Sequence, residues 1–262
     1  MNDEPTDLDP NGTRVVLAGD WHGDTWWAKS VVQRAARVGG VAMILQAGDA
    51  GFRWPGRASG KFDRKVNREL SKLDLRMVYV DGNHDPHDML AIAPQDHLGF
   101  RVIQDRIRYA PRGLRWRIGG VVFAALGGAF SIDHRHRTAG RTWWPEVEEV
   151  RQQDVDALGD DPVDVLLTHD VPAAVAMKSD LPFGTEDADR AQVTRDLLQQ
   201  AVERTNPRLV VAGHWHQRKT ATIRRPGGET RVEVLASDGM AGDAVILNLD
   251  DLSVRPLPRR TW

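Results

Sequence analysis

Residues 208–216 read RLVVAGHWH: an apolar run, a glycine, then two histidines on either side of a tryptophan. Successive side chains of an extended chain point to opposite faces, so His214 and His216 meet on one ion only where the backbone turns, and otherwise serve different partners. Taken alone, the stretch reads as a polar loop after a strand. Four other stretches repeat its plan, and the repetition decides the fold. RVVLAGD (14–20), VAMILQAGD (41–49), RMVYVDGNHD (76–85) and VDVLLTHD (163–170) are also short apolar runs that close on a turn and then on Asp, Asn or His. With GVVFAALGG (120–128), RVEVLAS (231–237) and DAVILNLD (243–250) they predict buried strands.

Helical patterns lie between them, at Thr25–Val38, 61–73, 145–158 and 188–204; the third opens with Pro145 and Glu146, as helices often do. Strands alternating with helices, followed by strands close together, predict an α/β sandwich with mixed sheets. No repeat or low-complexity segment interrupts the pattern. Residues 1–13 are expected to be disordered, 14–252 to form one domain, and 253–262 to be an extended tail.

Composition narrows the chemistry. No apolar run approaches the roughly 20 residues that span a bilayer, and the acidic start MNDEPTDLDPNG lacks the features of a signal peptide. A cytoplasmic protein without a membrane partner is expected. Cys is absent, so any metal is held by nitrogen and oxygen. A formal net charge of -2 argues against a nucleic-acid-coating role, although arginines cluster at 101–117 and 135–141, which leaves room for local basic patches.

Five strand ends carry the polar residues: Asp20-Trp21-His22, Gly48-Asp49, Gly82-Asn83-His84-Asp85, Thr168-His169-Asp170 and Gly213-His214-Trp215-His216. Ligand sites in open α/β sheets gather at the carboxyl ends of strands, so these ends are expected to converge. Together they form a donor set suited to two divalent transition ions, with manganese favoured and iron, zinc or nickel as alternatives.

In order and spacing, these motifs resemble those of the calcineurin-like metallophosphoesterases: D-x-H at Asp20 and His22, GD at Asp49, GNHD at Asn83 and His84, a lone His169, and GHxH at His214 and His216. The resemblance implies a four-layer sandwich of two mixed β-sheets flanked by helices. It implies one ion on Asp20, His22 and His216, a second on Asn83, His169 and His214, and Asp49 bridging both. It also implies hydrolysis of a phosphate ester by a hydroxide held between the ions, with His84 protonating the leaving group.

The chain departs from the protein Ser/Thr phosphatases of that family. Where those carry GDxVDRG and RGNHE, this sequence reads GDAGFRWPG and VDGNHD, so Asp81 replaces an arginine that clamps phosphate, and the expected effect is to disfavour a dianionic monoester. Arg53 is a candidate for a replacement clamp. The aspartate that supports the catalytic histidine is missing, with Gly51 and Phe52 in its region, which leaves the orientation of His84 open. Lariat-debranching members replace the first Asp by Cys; here it is Asp20. GDAGFRWPG and GGAFSIDHRHRTAGRTWWPE are similar to stretches of bacterial and phage-type metallophosphoesterases. The second places Arg137 and Arg141 near Trp143 and Trp144, a set that reads as phosphate grips and base-stacking faces, or else as a solvated charge run before two core tryptophans. Trp21, Trp54 and Trp215, inside the motifs, read as walls that dry the site.

The expected function is a phosphodiesterase acting on nucleotide or nucleic-acid phosphodiesters. The alternatives are a phosphomonoesterase or protein phosphatase, and a catalytically silent binding scaffold of the same fold.

Overall fold

Apolar residues on both faces of a strand demand cover on both sides, and the computed structural model, which describes residues 5–178 and 184–259, supplies it. In chain order lie β1 (Arg14–Ala18), α1 (Thr25–Val38), β2 (Val41–Gln46), α2 (Lys61–Lys72), β3 (Met77–Tyr79), α3 (His87–Ala91), β4 (Arg101–Gln104), β5 (Ile107–Tyr109), β6 (Arg115–Ile118), β7 (Val121–Leu126), a 3-10 turn His134–His136, α4 (Gln152–Ala157), β8 (Val165–Thr168), α5 (Thr185–Thr205), β9 (Leu209–Ala212), β10 (Lys219–Arg225), β11 (Gly228–Val234), β12 (Ala244–Asn248) and β13 (Val254–Pro256). One sheet has the order β13-β12-β1-β2-β3-β5-β4 and the other β10-β11-β9-β8-β7-β6; both mix parallel and antiparallel pairs.

Side-chain alternation assigns the layers. Val15 and Leu17 of β1 face Phe123, Leu167 and Val211 of the other sheet, whereas Val16 and Ala18 face α1 and α2. On the second sheet Leu166 and Val210 turn outward onto α4 and α5. Helix α1 shows the matching period, burying Ala28, Val31, Val32 and Ala35 along one stripe and capped by Asp24, whose carboxylate accepts from Trp27 N at 2.9 Å. The result is the expected four-layer α/β sandwich. Because β1, β2 and β3 run parallel, their carboxyl ends share one edge, and β7, β8 and β9 do the same on the facing sheet.

Several details differ from the sequence reading. Residues 5–13 are held in place: Leu8 N donates to Arg117 O at 2.8 Å, Gly120 N donates to Asp7, and Leu8 packs on the inter-sheet core. Residues 1–4 of the expected disordered start, and 260–262 of the expected extended tail, lie outside the described residues. The arginine cluster at 101–117 is mostly strand structure, in which Ile107, Tyr109, Trp116 and Ile118 point inward and Arg108 and Arg117 alternate with them, while Arg112, in the loop between β5 and β6, reaches in to the buried Asp81. Those arginines do not form a basic patch, because Arg106 pairs with Asp74, Arg108 with Asp96, Arg112 with Asp81 and Asp154, and Arg115 with Asp161. The helix expected over 145–158 shortens to Gln152–Ala157, because Glu148 is drawn into a buried hydrogen-bond knot at its start. Among the described residues no helix is long and apolar enough to cross a membrane.

Candidate metal centre

The five strand ends meet. Gly213 N donates to His169 O, Asp238 N to Asp20 O, and Trp21 N and His22 N both to Asp49 O, so the turns after the strands are stitched to one another. Four of the expected ligands, His22, Asp49, His214 and His216, have φ between +42° and +64°, a left-handed conformation that costs a non-glycine residue about 1–2 kcal/mol. The two rings of His-Trp-His nonetheless take different neighbours: His214 lies 5.1 Å from the ring of His169, and His216 Nε2 3.2 Å from Asp20 Oδ2. Between His214 and His216 the backbone is not extended, so their side chains are freed from strict alternation. Trp215 is pinned as its Nε1 donates to Asp170 Oδ1 at 2.7 Å, with Arg195 5.6 Å from its ring centre.

Asp20, His22 and His216 each offer a donor atom within 4.8 Å of the others, and Asp20, Asp49 and His169 form a second such group. Asp49 Oδ2 stands between two imidazoles, 3.6 Å from His22 Nε2 and 3.5 Å from His169 Nε2, while His216 Nε2 lies 3.2 Å from Asp20 Oδ2. Asn83 Oδ1 is 3.0 Å from His169 Nε2, and the rings of His169 and His214 are 5.1 Å apart. Asp20, Asp49, Asn83 and His169 are buried, whereas the side chains of His22 and His216 are 27% and 50% exposed, so the site opens on their side.

The surrounding groups fix these donors. His169 Nδ1–H donates to Ala47 O at 2.6 Å, which leaves Nε2 free to face Asp49. His22 Nδ1 has Asp238 Oδ1 at 3.4 Å. Asp85, the last residue of GNHD, accepts from Asp49 N, Gly51 N and Gly82 N, tying two strand ends together. Burial, reinforced by the charge of Asp49, pushes its carboxyl up to about 7 despite those donors. Ser131 Oγ accepts from Asn83 Nδ2 at 3.0 Å. Asp238, Ser131 and Ala47 carry no sequence signal of their roles, since each acts through a partner distant in the chain, whereas Asp85 stands inside GNHD and only its reach to Asp49 and Gly51 is long-range.

Glycines make room for the carboxylates. A Cβ on Gly82 would stand 2.1 Å from Asp49 Oδ1, and one on Gly213 2.2 Å from Asp20 Oδ1. Gly82→Ala is therefore expected to displace Asp49 and weaken metal retention by about 10–100-fold, the usual effect of disturbing a ligand's support; elemental analysis after dialysis measures it, and full retention would sink the assignment.

The other sequence candidates fare differently. His84 N donates to Asp49 Oδ1 at 2.7 Å, and its ring lies 5.8 Å from that of His22 at the rim. Burial lowers its pKa, against the charge of Asp49. Asp81 does not confront a substrate. Its buried carboxylate takes Arg112 Nη2 at 2.7 Å and Tyr109 OH at 3.1 Å; burial opposes its charge, but Arg112 outweighs burial and holds its pKa low. The expected repulsion of a dianion therefore has no source there. Arg137 is only 6% exposed and is occupied by protein groups, Ser131 Oγ, Asp133 and Asn83 O. Arg141 is exposed, and Arg53 is half-buried, its backbone N donating to Asp63. Trp144 is buried, and half-buried Trp143 donates Nε1–H to Glu148 and has the His134 ring 5.1 Å from its own. Trp21 is core, against Phe52, and Trp54 covers Gly23 beside His22.

The chain is 24% identical over 174 residues to the lariat debranching enzyme of Schizosaccharomyces pombe, a match covering 61% of this chain and 37% of that protein, so the chain spans little more than a third of that relative's length. Among solved structures, a 5′-nucleotidase precursor from Thermus thermophilus superposes with TM-score 0.44 and 15% identity over 96% of this chain and 52% of that one. The sulfate thiohydrolase SoxB of Thermus thermophilus, solved with glycerol, gives 0.44 and 19% over 88% and 42%. The model of the calcineurin-like phosphoesterases matches residues 13–218, which contain every donor described above. The chain belongs to the calcineurin-like phosphoesterase family.

Proposed function

We propose that this protein is a two-metal-dependent phosphodiesterase of nucleotides or nucleic-acid ends, working in the cytoplasm with manganese. The observation that carries the reading is Asp49 Oδ2 standing between His22 Nε2 and His169 Nε2 beside a second buried carboxylate, Asp20. The residues fit a pair of cations. Asp20 Oδ2 is buried and accepts no hydrogen bond of good geometry, its near neighbour being His216 Nε2 at 3.2 Å, and a buried carboxylate oxygen so placed is stabilised by a facing cation. Burial works against charge on His22 and His169, yet Asp49 outweighs it and raises them to about 9 and about 10, so the carboxylates of the site favour positive charge beside them. Asp20, His22 and His216 would hold one ion, Asn83, His169 and His214 the other, and Asp49 both. Donors limited to imidazole, carboxylate and amide suit manganese, with iron, zinc or nickel as alternatives. When bound, such a pair polarises phosphoryl oxygens and lowers the pKa of water toward 7.

The chain's own residues do the rest. Hydrolysis forms a P–O bond to the oxygen of water and breaks the bond to the leaving group, whose electron pair departs on an oxygen that needs a proton. His84, at the rim and held by its backbone to Asp49, donates it. Arg137 holds the Asn83 carbonyl and Ser131 in place, so it positions a ligand and does not grip substrate. That leaves the site without this arginine's charge for a dianion, and a singly charged diester needs less. Similarity to a debranching enzyme supports a nucleic-acid diester. The test is a manganese-supplemented screen of mono-aryl and bis-aryl phosphates, cyclic nucleotides and dinucleotides; higher kcat/KM on diesters supports the reading, and a monoester preference overturns the substrate class.

A further inference from the structure

The support of His84 is absent from its usual place in the sequence. Gly51 has no side chain, Phe52 is fully buried in the helix-side core, and Asp49 spends one oxygen on the His84 backbone and turns the other to His22 and His169. The segment after β7 fills the gap, and it is tied down from three sides. The buried carboxylate of Glu148 accepts from Ser131 N at 3.3 Å and from Trp143 Nε1 at 3.0 Å, closing the segment's two ends on each other. His134 and Arg135 both lie 3.2 Å from Asp187 in the first turn of α5. Arg137 reaches back to the Asn83 carbonyl at 3.1 Å. Between these ties Asp133 projects to the rim, its Oδ2 3.7 Å from His84 Nε2 and its Oδ1 3.5 Å from Arg137 Nη1.

We propose that Asp133 is the positioning residue that orients His84 for proton delivery, supplied by a tied segment after β7 in place of a carboxylate from the loop after β2. The inference rests on the phosphoesterase reading. The His84 side chain is 31% exposed and turns about two bonds, so without a partner its ring samples orientations that cannot reach a leaving group. A carboxylate beside one ring nitrogen fixes both the ring's orientation and its tautomer. Among the described residues Asp133 is the carboxylate within 4.0 Å of a ring nitrogen of His84, its Oδ2 at 3.7 Å from Nε2, about half an ångström beyond hydrogen-bond length. Arg137, on the other side of the carboxylate, keeps it from swinging away.

The experiment compares wild type, Asp133→Ala and Asp133→Glu on a dinucleotide, whose leaving oxygen needs a proton, and on bis-(4-nitrophenyl) phosphate, whose leaving group does not. Asp133→Ala is expected to lower kcat on the dinucleotide on the order of 10–100-fold, with KM and metal content unchanged and the aryl rate within about threefold, and Asp133→Glu to recover part of the loss. Equal losses on both substrates, or loss of metal, overturn the role. A second readout needs no turnover: in metal-free ¹⁵N-labelled protein, with the His84 ring signals identified by their loss in His84→Ala, wild type is expected to show one dominant tautomer and Asp133→Ala a mixture. Identical ring signals overturn the proposal. Wild type inert toward both esters with every divalent metal would overturn the phosphoesterase reading instead, and the ring signals still decide the pairing.

Discussion

Asp49→Asn is expected to abolish hydrolysis, with a loss of more than about 10³-fold, the scale seen when a member of a cooperating catalytic set is removed. The substitution leaves the shape almost unchanged and removes the charge of the carboxylate that faces both His22 and His169 while its other oxygen accepts from His84 N. An amide offers one oxygen where two are used. Elemental analysis should show the loss in the variant's metal content, and chelator-stripped wild type should be equally inactive and recover with manganese. Loading should also release protons. His22 and His169, raised to about 9 and about 10 in the metal-free site chiefly by Asp49 acting against burial, are protonated at pH 7 and must shed those protons to bind an ion. Affinity therefore rises as pH climbs from 7 toward 9 and falls in acid. Calorimetry in two buffers of different ionisation enthalpy counts the protons, and a count of zero at pH 7, or an active Asp49→Asn, would be fatal to the assignment.

His84→Ala should keep its metal and lose about 10²–10⁴-fold on substrates with alkoxide leaving groups, the contribution of a general acid. The retention follows from geometry: the hydrogen bond to Asp49 comes from the His84 backbone, which alanine keeps, while the ring points to the rim. Aryl phosphates, which leave without a proton, should lose little. Elemental analysis and paired rates on a dinucleotide and bis-(4-nitrophenyl) phosphate separate the cases. Metal loss would make His84 a ligand, and equal losses on both esters would remove its role as acid.

Local pattern reaches a long way in this chain. Helix α1 falls on Thr25–Val38 as its apolar period predicts, and eight apolar runs become strands. Where the reading fails, long-range partners are the cause. Arginines at 101–117 alternate with apolar residues at the strand period, but their charge hides the pattern until the acidic partners Asp74, Asp96 and Asp161 arrive from elsewhere. Glu148 looks like a helix residue and is instead buried to hold Ser131 and Trp143. Asp81 looks like a charge at the site mouth, and Arg112 turns it into a closed internal pair.

What the sequence by itself determined is the order of eight of the strands and four of the helices, the placing of Asp, Asn and His at five strand ends, and a donor set without thiolate. These follow from periodicity and residue chemistry, which act over a few positions. Only the tertiary structure decided that the five ends meet, that left-handed backbone at His214 and His216 lifts their alternation, that Asp238 and Ala47 face His22 and His169, and that Asp133 comes to His84 while Arg137 is taken up by Asn83. Those pairings depend on sheet order and on competition among buried polar groups for a limited number of partners, and no local pattern encodes either.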